Sequence, residues 1–414
     1  MSALIAPAPA VWLVALLATA GVILRPFRWP EAVWAVAGAA TLVLTGLLPP
    51  ELAWRGVLRG RDVYLFLLGM MLLAEVGRRE GLFDWLAVFA VRAAHGSGTR
   101  LLAVVYGVGV LTTAFLSNDA TAVVLTPAVL AAARAAGAKP MPHLYACAFV
   151  SNAASFVLPI SNPANLVVFG GHMPPLGEWL LRFTLPSAAA IAATYASLWL
   201  TQRRVLAEPI APAVAPVPLS RGGRVAGVGI GATVVAMLSA SAAGIDLGWP
   251  TFLASGATAL AVALTTRRGF GPILGGISWG ILPLVAGLFV LVEALEATGA
   301  VGALAGLVRG GGTGTALAAG AIVGLGTNVT NNLPAGLLAG AVVQAAGGAG
   351  VLPGAILIGV DLGPNLSVTG SLATILWMAV IRREGLTVSD GQFLRLGVLV
   401  MLPALMLALG ALAL

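Results

Sequence analysis

The sequence is poor in charge and contains a single cysteine. Only 9% of its 414 residues are charged and 59% are hydrophobic, whereas soluble domains carry roughly a quarter charged residues. A chain of this length cannot cover so much apolar surface in one water-soluble core, which excludes an ordinary soluble domain. Cys147 alone excludes a disulfide framework and a multi-cysteine metal site. His95, His143 and His172 do not cluster in the sequence, so no metal site is expected.

Signals for nucleotide binding, nucleic-acid binding and secretion are also absent. No GxxxxGK[ST] loop occurs, so the chain is not expected to bind ATP through a P-loop. The net charge of +7 comes from arginines scattered between apolar stretches, which is typical of cytoplasmic loops in a membrane protein. The first residues lack the basic stretch and cleavage site of a signal peptide, so the segment from residue 11 is predicted to be a span. We expect no nucleic-acid partner and no cofactor.

Long apolar stretches dominate what is present. Residues 10–23, 34–48 and 279–295 come close to or reach the ~20 residues that cross a bilayer as a helix. The 53 glycines, together with abundant alanine, allow such helices to approach closely. The composition therefore predicts an all-α polytopic protein of a cell membrane, the inner membrane in a bacterium.

The two halves of the chain resemble each other on either side of a proline-rich linker at 202–224. Gly69, Glu75 and Gly81 match Gly287, Glu293 and Gly299 at a separation of 218. Ser117–Thr121 matches Thr330–Pro334 at 213, and Leu158–Pro163 matches Leu366–Ser371 at 208. Matches in the same order indicate an internal repeat. The predicted repeats are residues 1–201 and 225–414.

Each repeat is predicted to contain five crossing segments and one re-entrant hairpin. The hairpins lie at 101–135 and 314–346, because polar backbone at membrane depth must be buried in protein or line a cavity. The predicted spans are 9–24, 32–49, 62–77, 143–171, 179–200, 225–242, 249–266, 278–296, 352–381 and 393–413. Of these, 143–171 and 352–381 are predicted to be broken helices.

Five crossings per repeat is an odd number, so the second repeat should be inverted relative to the first. With both termini outside, 17 of the 22 basic residues fall on the cytoplasmic side. This is the bias expected of membrane proteins.

Polar residues interrupt the apolar sequence at the two hairpin tips and in the two broken spans. Inverted repeats with broken helices place a substrate near the middle of the bilayer. Asn, Ser and Thr side chains donate and accept hydrogen bonds without charge, which suits a neutral hydroxylated solute or a dehydrated cation. The alternative is that they only cap helix ends. The candidate binding residues are Ser117, Asn118, Asp119, Thr121, Ser161, Asn162, Asn165, Thr330, Asn331, Asn332, Thr369 and Ser371.

Among these residues we expect Asn118, Asn332, Ser161 and Thr369 to line one cavity supplied by both halves. Two carboxylates lie within the same apolar elements, Asp119 and Asp361. An ionisable residue inside a membrane segment is costly and is a functional hypothesis by default. Asp119, at a hairpin tip, is the main candidate for proton coupling, and Asp361 is the second. Glu75 and Glu293 lie near span ends, where interfacial solvation or pairing with arginine is expected.

Three motifs resemble the arsenite and antimonite efflux permeases of the ion transporter superfamily. They are Ser117–Pro127, Asn331–Pro334 and Asp361–Trp377, and the resemblance runs from about Asp62 to the C-terminus. It implies a scaffold and a transport domain, export of trivalent arsenic or antimony in exchange for protons, and association with a separate soluble arsenite-stimulated ATPase.

The chemistry of the residues agrees with this resemblance. Arsenous acid is a neutral trihydroxide at neutral pH, and Asn, Ser and Thr can bind it. The four interruptions contain no Lys or Arg, which argues against an anion carrier, although helix dipoles partly substitute for basic side chains. A sodium/proton antiporter or another permease of the superfamily is the alternative. A membrane enzyme would need a nucleophile and a base, so a secondary transporter is favoured.

Replacing Cys147 by Ser should leave arsenite resistance nearly unchanged. Tight capture of trivalent arsenic needs several thiolates, and a lone buried cysteine is usually a small apolar residue. Growth of an arsenite-sensitive host should be compared at matched protein level. Lost resistance in a normally expressed variant would contradict the prediction that uncharged Asn, Ser and Thr side chains, rather than a thiolate, bind the substrate.

Overall fold

The computed structural model describes residues 8–171, 173–211, 215 and 218–414, and the regular secondary structure in them is helical. The first half contains α1 Ala8–Leu24, α2 Glu31–Leu44, α3 Pro50–Arg59, α4 Arg61–Arg79, α5 Leu82–Ala93, α6 Gly98–Leu116, α7 Thr126–Ala135, α8 Met141–Ala153, α9 Pro163–Phe169 and α10 Leu176–Leu206. The second half contains α11 Arg221–Ala242, α12 Gly248–Thr266, α13 Gly271–Gly275, α14 Ile281–Ala297, α15 Ala300–Val308, α16 Thr313–Thr330, α17 Asn332–Ala346, α18 Leu352–Leu362, α19 Leu372–Arg383 and α20 Asp390–Leu412.

Among the first six helices of each half, the shortest are the third and the fifth, namely α3 and α5 in the first half and α13 and α15 in the second. The predicted repeat would pair α1 to α10 with α11 to α20. Gly81 and Gly299 immediately precede α5 and α15. Their φ values of 74° and 80° lie in the left-handed region that favours glycine. The turns after α6 and α16 both have positive φ, at Ser117 and Asn331. Their separation is 214, one residue more than the predicted match. The predicted match between the two tips is off by one residue because the tips share polarity rather than identical residues.

The lengths of the helices partly match the predicted spans. Among the described residues, α6, α10, α11 and α20 combine the length and apolar composition of a membrane span, and α14 with α15, bent by 78°, adds a fifth. Both predicted broken spans are split, into α8 and α9 and into α18 and α19. The short helices α3, α5, α13 and α15 were not predicted, because they are too short to produce a long apolar run.

The predicted linker at 202–224 is shorter in the structure, since α10 continues to Leu206 and α11 begins at Arg221. Residues 212–214 and 216–217 of the predicted linker lie outside the described part, as does His172. The backbone N–H of Ile210 donates to Gly96 O at 3.2 Å, and that of Ala211 donates to Ala136 O at 2.8 Å. The linker therefore contacts both ends of the first hairpin.

The two broken spans run in opposite directions. α8 begins beside Lys139, which pairs with Glu208 of the linker at 2.5 Å, and α9 ends where Gln344 donates to Phe169 O at 3.0 Å. α9 therefore ends beside the C-terminus of α17, where the second hairpin opens. Conversely, Glu384 follows α19 and pairs with Arg134 of the first hairpin at 3.1 Å. α8 therefore begins on the side of the molecule where α19 ends.

The repeat-related glutamates both pair with arginines, as predicted. Glu75 accepts from Arg78 at 2.6 Å and from Arg79 at 2.5 Å. Glu293 accepts from Arg59 at 2.9 Å, and the same guanidinium reaches Glu296 at 2.7 Å. The two glutamates are each only 6% exposed, so these pairs neutralise carboxylates that would otherwise be costly to bury.

Close packing of α16 on α18 joins the second hairpin to the second broken span. A Cβ atom at Gly320 would lie 2.7 Å from the carbonyl carbon of Ala355, and one at Gly324 would lie 3.2 Å from Gly359 O. Small residues allow this approach in a membrane, where helices associate by packing rather than by hydrophobic exclusion. These glycines therefore fix the position of the hairpin tip at Asn331 relative to the break between α18 and α19.

Gly320→Ala should lower the melting temperature of the purified protein, because the added methyl group collides with backbone that cannot move away. Overpacking of this kind costs about 1–3 kcal/mol. Gly326→Ala on the same helix is the matched control, since a Cβ there meets nothing within 4 Å. Equal melting temperatures for both variants in detergent would show that the α16–α18 contact is not tightly packed.

Candidate functional site

The two hairpin tips turn on non-glycine residues with positive φ. Ser117 has φ 104° and ψ 159°, and Asn331 has φ 69° and ψ 153°. Backbone strain of this kind costs about 1–3 kcal/mol and is found at functional sites. The turn at Ser117 is followed by Asn118, whose Oδ1 accepts from Asp119 N at 2.9 Å. Asn331 Oδ1 accepts from Leu333 N at 3.4 Å and so caps α17.

The two broken spans are joined to each other by a hydrogen bond between the halves. Asn162 caps α9, because its Oδ1 accepts from Ala164 N at 3.0 Å. Its Nδ2 donates to Asp361 Oδ1 at 2.8 Å. Asp361 lies in the last turn of α18 and is fully buried. The Asn162 side chain thus stabilises the break in its own half and contacts the carboxylate of the other.

A second hydrogen bond links the halves at the equivalent position. Asn152, in the last turn of α8, donates from Nδ2 to Asn365 Oδ1 at 3.0 Å. Asn365 in turn donates from Nδ2 to Phe149 O at 3.0 Å. Asn152 is one residue before the end of α8, as Asp361 is one residue before the end of α18, and each side chain contacts the break of the other half. Neither Asn152 nor Asn365 was among the predicted site residues, and the available signals were an asparagine near the end of the mostly apolar α8 and another in the turn Gly363–Leu366 of the second break.

Polar residues from both halves meet in one small cavity. Its polar lining consists of Asn118, Asp119, Asn162 and Asn332, and its apolar lining consists of Leu67, Pro163, Ile281, Leu333, Leu372 and Ala373. The cavity volume is about 10 Å³, which is room for about one water molecule. No lining residue is basic.

Several helices begin at this cavity. The π-helical segment Ala120–Leu125 that leads into α7 starts beside Asp119, and α17 and α19 start at Asn332 and Leu372. Helix N-termini carry partial positive charge. Asp119 and Asp361 form no ion pair with a described basic side chain. The N-terminus of the segment Ala120–Leu125 therefore supplies positive field at Asp119, whereas Asp361 lies in the last turn of α18, at the negative end of that helix.

Within the described chain, Asn152 Oδ1 and Asn165 Oδ1 of the first broken span lack a donor, and so do Asn332 Oδ1 of the cavity wall and Asp361 Oδ2, on the carboxylate that Asn162 contacts. All four atoms are buried, and a buried acceptor without a hydrogen bond costs roughly 1–3 kcal/mol. A hydroxyl-bearing solute can donate to Asn332 Oδ1, and a proton on the carboxyl group can serve Asp361 Oδ2. The site is therefore better suited to hydrogen-bond donors than to anions.

Most of the other predicted site residues stabilise the breaks instead of lining the cavity. Ser161 Oγ donates to Ala114 O at 3.1 Å, and Asn165 Nδ2 donates to Ser155 O at 3.0 Å. Thr121 and Thr113 hydroxyls lie 2.8 Å apart, Thr330 Oγ1 donates to Gly326 O at 3.0 Å, and Ser371 Oγ caps α19 by accepting from Thr374 N at 3.1 Å.

The expectation that four residues line one cavity is therefore corrected. Asn118 and Asn332 line it, but Ser161 bonds to α6 and Thr369 lies with Asn331 in a neighbouring cavity of about 20 Å³. The physical reason is that Ser161 precedes the residue that caps α9, so the capping geometry turns Asn162 toward the cavity instead.

In the part of the chain that the structure describes, no group of three His, Cys, Asp or Glu side chains could hold a metal ion. Cys147 is fully buried in α8 and is not among the residues that line the cavity.

Comparisons with known proteins identify relatives over most of the chain. The sequence profile of the citrate transporter family, CitMHS, matches residues 13–360. Arsenical pump membrane proteins of Escherichia coli strain K12 and of Yersinia enterocolitica are each 27% identical over 92% of this chain, covering 92% and 91% of their own lengths. An uncharacterized transporter of Mycobacterium tuberculosis is 27% identical over 84% of both chains.

The fold is similar to that of a solved transporter. The crystal structure of the Alcanivorax borkumensis YdaH transporter superposes with a TM-score of 0.59 at 16% identity, covering 98% of this chain and 97% of that one. Because identity is this low, the likeness concerns the fold alone.

The Asn162–Asp361 hydrogen bond yields a stability prediction. Asp361→Asn should keep the melting temperature near that of the wild type, because an amide oxygen can still accept from Asn162. Asp361→Leu leaves the Asn162 amide buried and unpaired, which costs about 1–3 kcal/mol. If Asp361→Leu in detergent were as stable as Asp361→Asn, this bond would not hold the halves together.

Proposed function

The chain belongs to the citrate transporter (CitMHS) family of membrane permeases, and within it we propose that this protein exports arsenite or antimonite in exchange for protons. The observation that carries the proposal is the cavity where Asn118, Asn162 and Asn332 meet Asp119 without any basic side chain. The relatives named arsenical pump membrane proteins support the substrate class.

The chemistry of the cavity favours a neutral substrate. Arsenous and antimonous acids are uncharged trihydroxides at neutral pH, so each can donate to amide oxygens and accept from amide nitrogens. Asn332 Oδ1 is a buried acceptor to which such a hydroxyl can donate. An asparagine-lined cavity can thus bind the solute without having to neutralise a charge.

A citrate-like anion fits this cavity poorly, although the family takes its description from citrate. Carboxylate recognition normally uses arginine or lysine in bidentate or charge-assisted contacts. Here the only ionisable cavity residue is Asp119, and Asp361 lies beyond Asn162. When ionised, both would repel an anion, and the helix N-terminus at Ala120 is already adjacent to Asp119.

Proton coupling is assigned to Asp119 first and to Asp361 second. Asp119 is part of the cavity wall and is partly exposed to it. A proton and a substrate that compete for the same small cavity each lower the occupancy of the other, which is sufficient for antiport. Asp361 is one hydrogen bond away, through Asn162. Protonation of Asp361 would change its hydrogen bond with the Asn162 amide, and therefore the hydrogen bonds that this amide can form with a solute in the cavity.

The cavity must open for transport, because about 10 Å³ cannot hold a trihydroxide. We place both termini outside and the linker in the cytoplasm of a bacterial cell, with the protein in the inner membrane, since this arrangement puts 17 basic residues inside. A separate soluble ATPase that responds to arsenite is a further proposed partner.

A sodium/proton antiporter is the second candidate. Asp119, Asn118 and Asn332 supply carboxylate and amide oxygens, which are the ligands that hard cations prefer. The two functions differ in their transported species, so one vesicle assay distinguishes them.

Asp119→Asn should abolish arsenite accumulation in everted membrane vesicles that hold an imposed pH gradient, at normal protein level. Asparagine preserves size and hydrogen bonding but cannot carry a proton. Arsenite binding to the purified variant should persist, because the cavity remains polar. Asp361→Asn is the matched variant and should show a weaker loss of accumulation.

The same vesicles provide the contradicting outcomes. Wild-type pH dependence in Asp119→Asn would exclude this residue from coupling and would move the role to Asp361. Sodium movement that is driven by pH and is indifferent to arsenite would replace the arsenite proposal by the antiporter.

A further inference from the structure

A large apolar groove lies away from the polar cavity, between α1 and α14 on one side and the second hairpin on the other. Its volume is about 690 Å³, and its walls include Leu16, Leu291, Leu307, Ile322, Gly326 and Leu338. Several of these side chains are exposed, with Leu16 at 66%, Leu307 at 76% and Ile322 at 69%. In a protein that spans the bilayer, a groove with such walls opens toward lipid rather than toward water.

The groove is at least as long as one leaflet. Along α16 it extends from Thr315 to Thr330, which is about 22 Å at a rise of 1.5 Å per residue. Half of a hydrocarbon core of about 30 Å is about 15 Å. Its inner end is bounded by Thr330 and Pro334, which flank the tip at Asn331. Its outer end lies where α15 ends and α16 begins.

A single basic residue stands at the outer end. Arg309 follows Leu307 and Val308 of the groove wall and is the only Lys or Arg between Arg268 and Arg382. Its Nη2 donates to Ala345 O at 2.5 Å, which leaves its remaining N–H groups free to donate. No described acidic side chain pairs with it.

We propose that this groove binds one acyl chain of a membrane phospholipid, with the phosphodiester of the same lipid at Arg309. The apolar walls, a length that exceeds one leaflet and the single cation beside the groove match an acyl chain joined to a phosphodiester. Trp12, whose Nε1 donates to Thr298 Oγ1 at 3.0 Å, lies on the groove wall near the same end. A tryptophan at this depth is typical of the membrane interface.

The groove exists in one half because the repeat is unequal there. α5 has 12 residues and packs against both α6 and α7. Its equivalent α15 has 9 residues and packs mainly against α17. The surface of α16 that α15 leaves uncovered forms a wall of the groove. A lipid seated there contacts the hairpin that carries Asn331, so its occupancy and the position of that tip are coupled.

The test uses the purified full-length protein in nanodiscs that contain phosphatidylglycerol with a photoreactive diazirine near the end of one acyl chain. Mass spectrometry should locate the adducts on α16 and α17 near Gly326 and Leu338. Gly326→Leu should reduce these adducts at least severalfold, because a side chain there has open space and projects into the groove. Gly107→Leu on α6, where a Cβ also meets nothing within 4 Å, is the matched control and should label like the wild type.

Two further variants test the proposal even if Gly326→Leu does not fold. Ala318→Phe fills the groove from an exposed position on α16 and should show the same loss. Arg309→Gln should reduce labelling by the phospholipid toward the level obtained with a diacylglycerol of the same chain. Adducts spread evenly over lipid-facing helices and unchanged in both filling variants would overturn the groove as a site. Equal labelling of the wild type by diacylglycerol and by phospholipid would overturn the role of Arg309.

Discussion

Backbone polar groups inside a bilayer have no water to bond with, and this constraint determines the chemistry of the whole site. Each helix break exposes N–H and C=O groups that only the protein can satisfy. Asn162, Asn331 and Ser371 cap the helices that follow three of the breaks. The bonds Asn152–Asn365 and Asn162–Asp361 then tie the breaks of the two halves together. The polar residues that maintain the broken helices thereby concentrate hydrogen-bonding groups around one cavity.

Each half of the chain contributes a titratable carboxylate at a different position. Asp119 follows the first tip, and at the separation of 214 its equivalent is Leu333. Asp361 lies one residue before the end of α18, and Asn152 occupies the same place at the end of α8. Each half thus contributes one carboxylate, at positions that are neutral in the other half. Elements of both halves enclose the cavity, and unequal side chains allow a proton to bind at a defined place.

Much of this arrangement can be predicted from sequence, and the remainder has identifiable reasons. The breaks are visible because Asn, Ser and Pro interrupt long apolar stretches, and a carboxylate in such a stretch is conspicuous. Which polar residue faces the cavity is decided by capping geometry, so Asn162 takes the place expected of Ser161. Asn152 and Asn365 escaped prediction because their roles depend on each other across 213 residues. The short helices lack any long apolar run.

The hydrogen bonds also indicate where opening of the cavity requires the least free energy. Its polar walls belong to the hairpins and broken spans, which are joined to each other by Asn162–Asp361 and by the packing of α16 on α18. The remaining walls are Leu67 of α4 and Ile281 of α14, which offer only apolar contact. Separating apolar surfaces breaks no hydrogen bond, whereas separating the hairpins from the broken spans would leave buried amides unpaired. Access to the cavity is therefore expected along the boundary with α4 and α14.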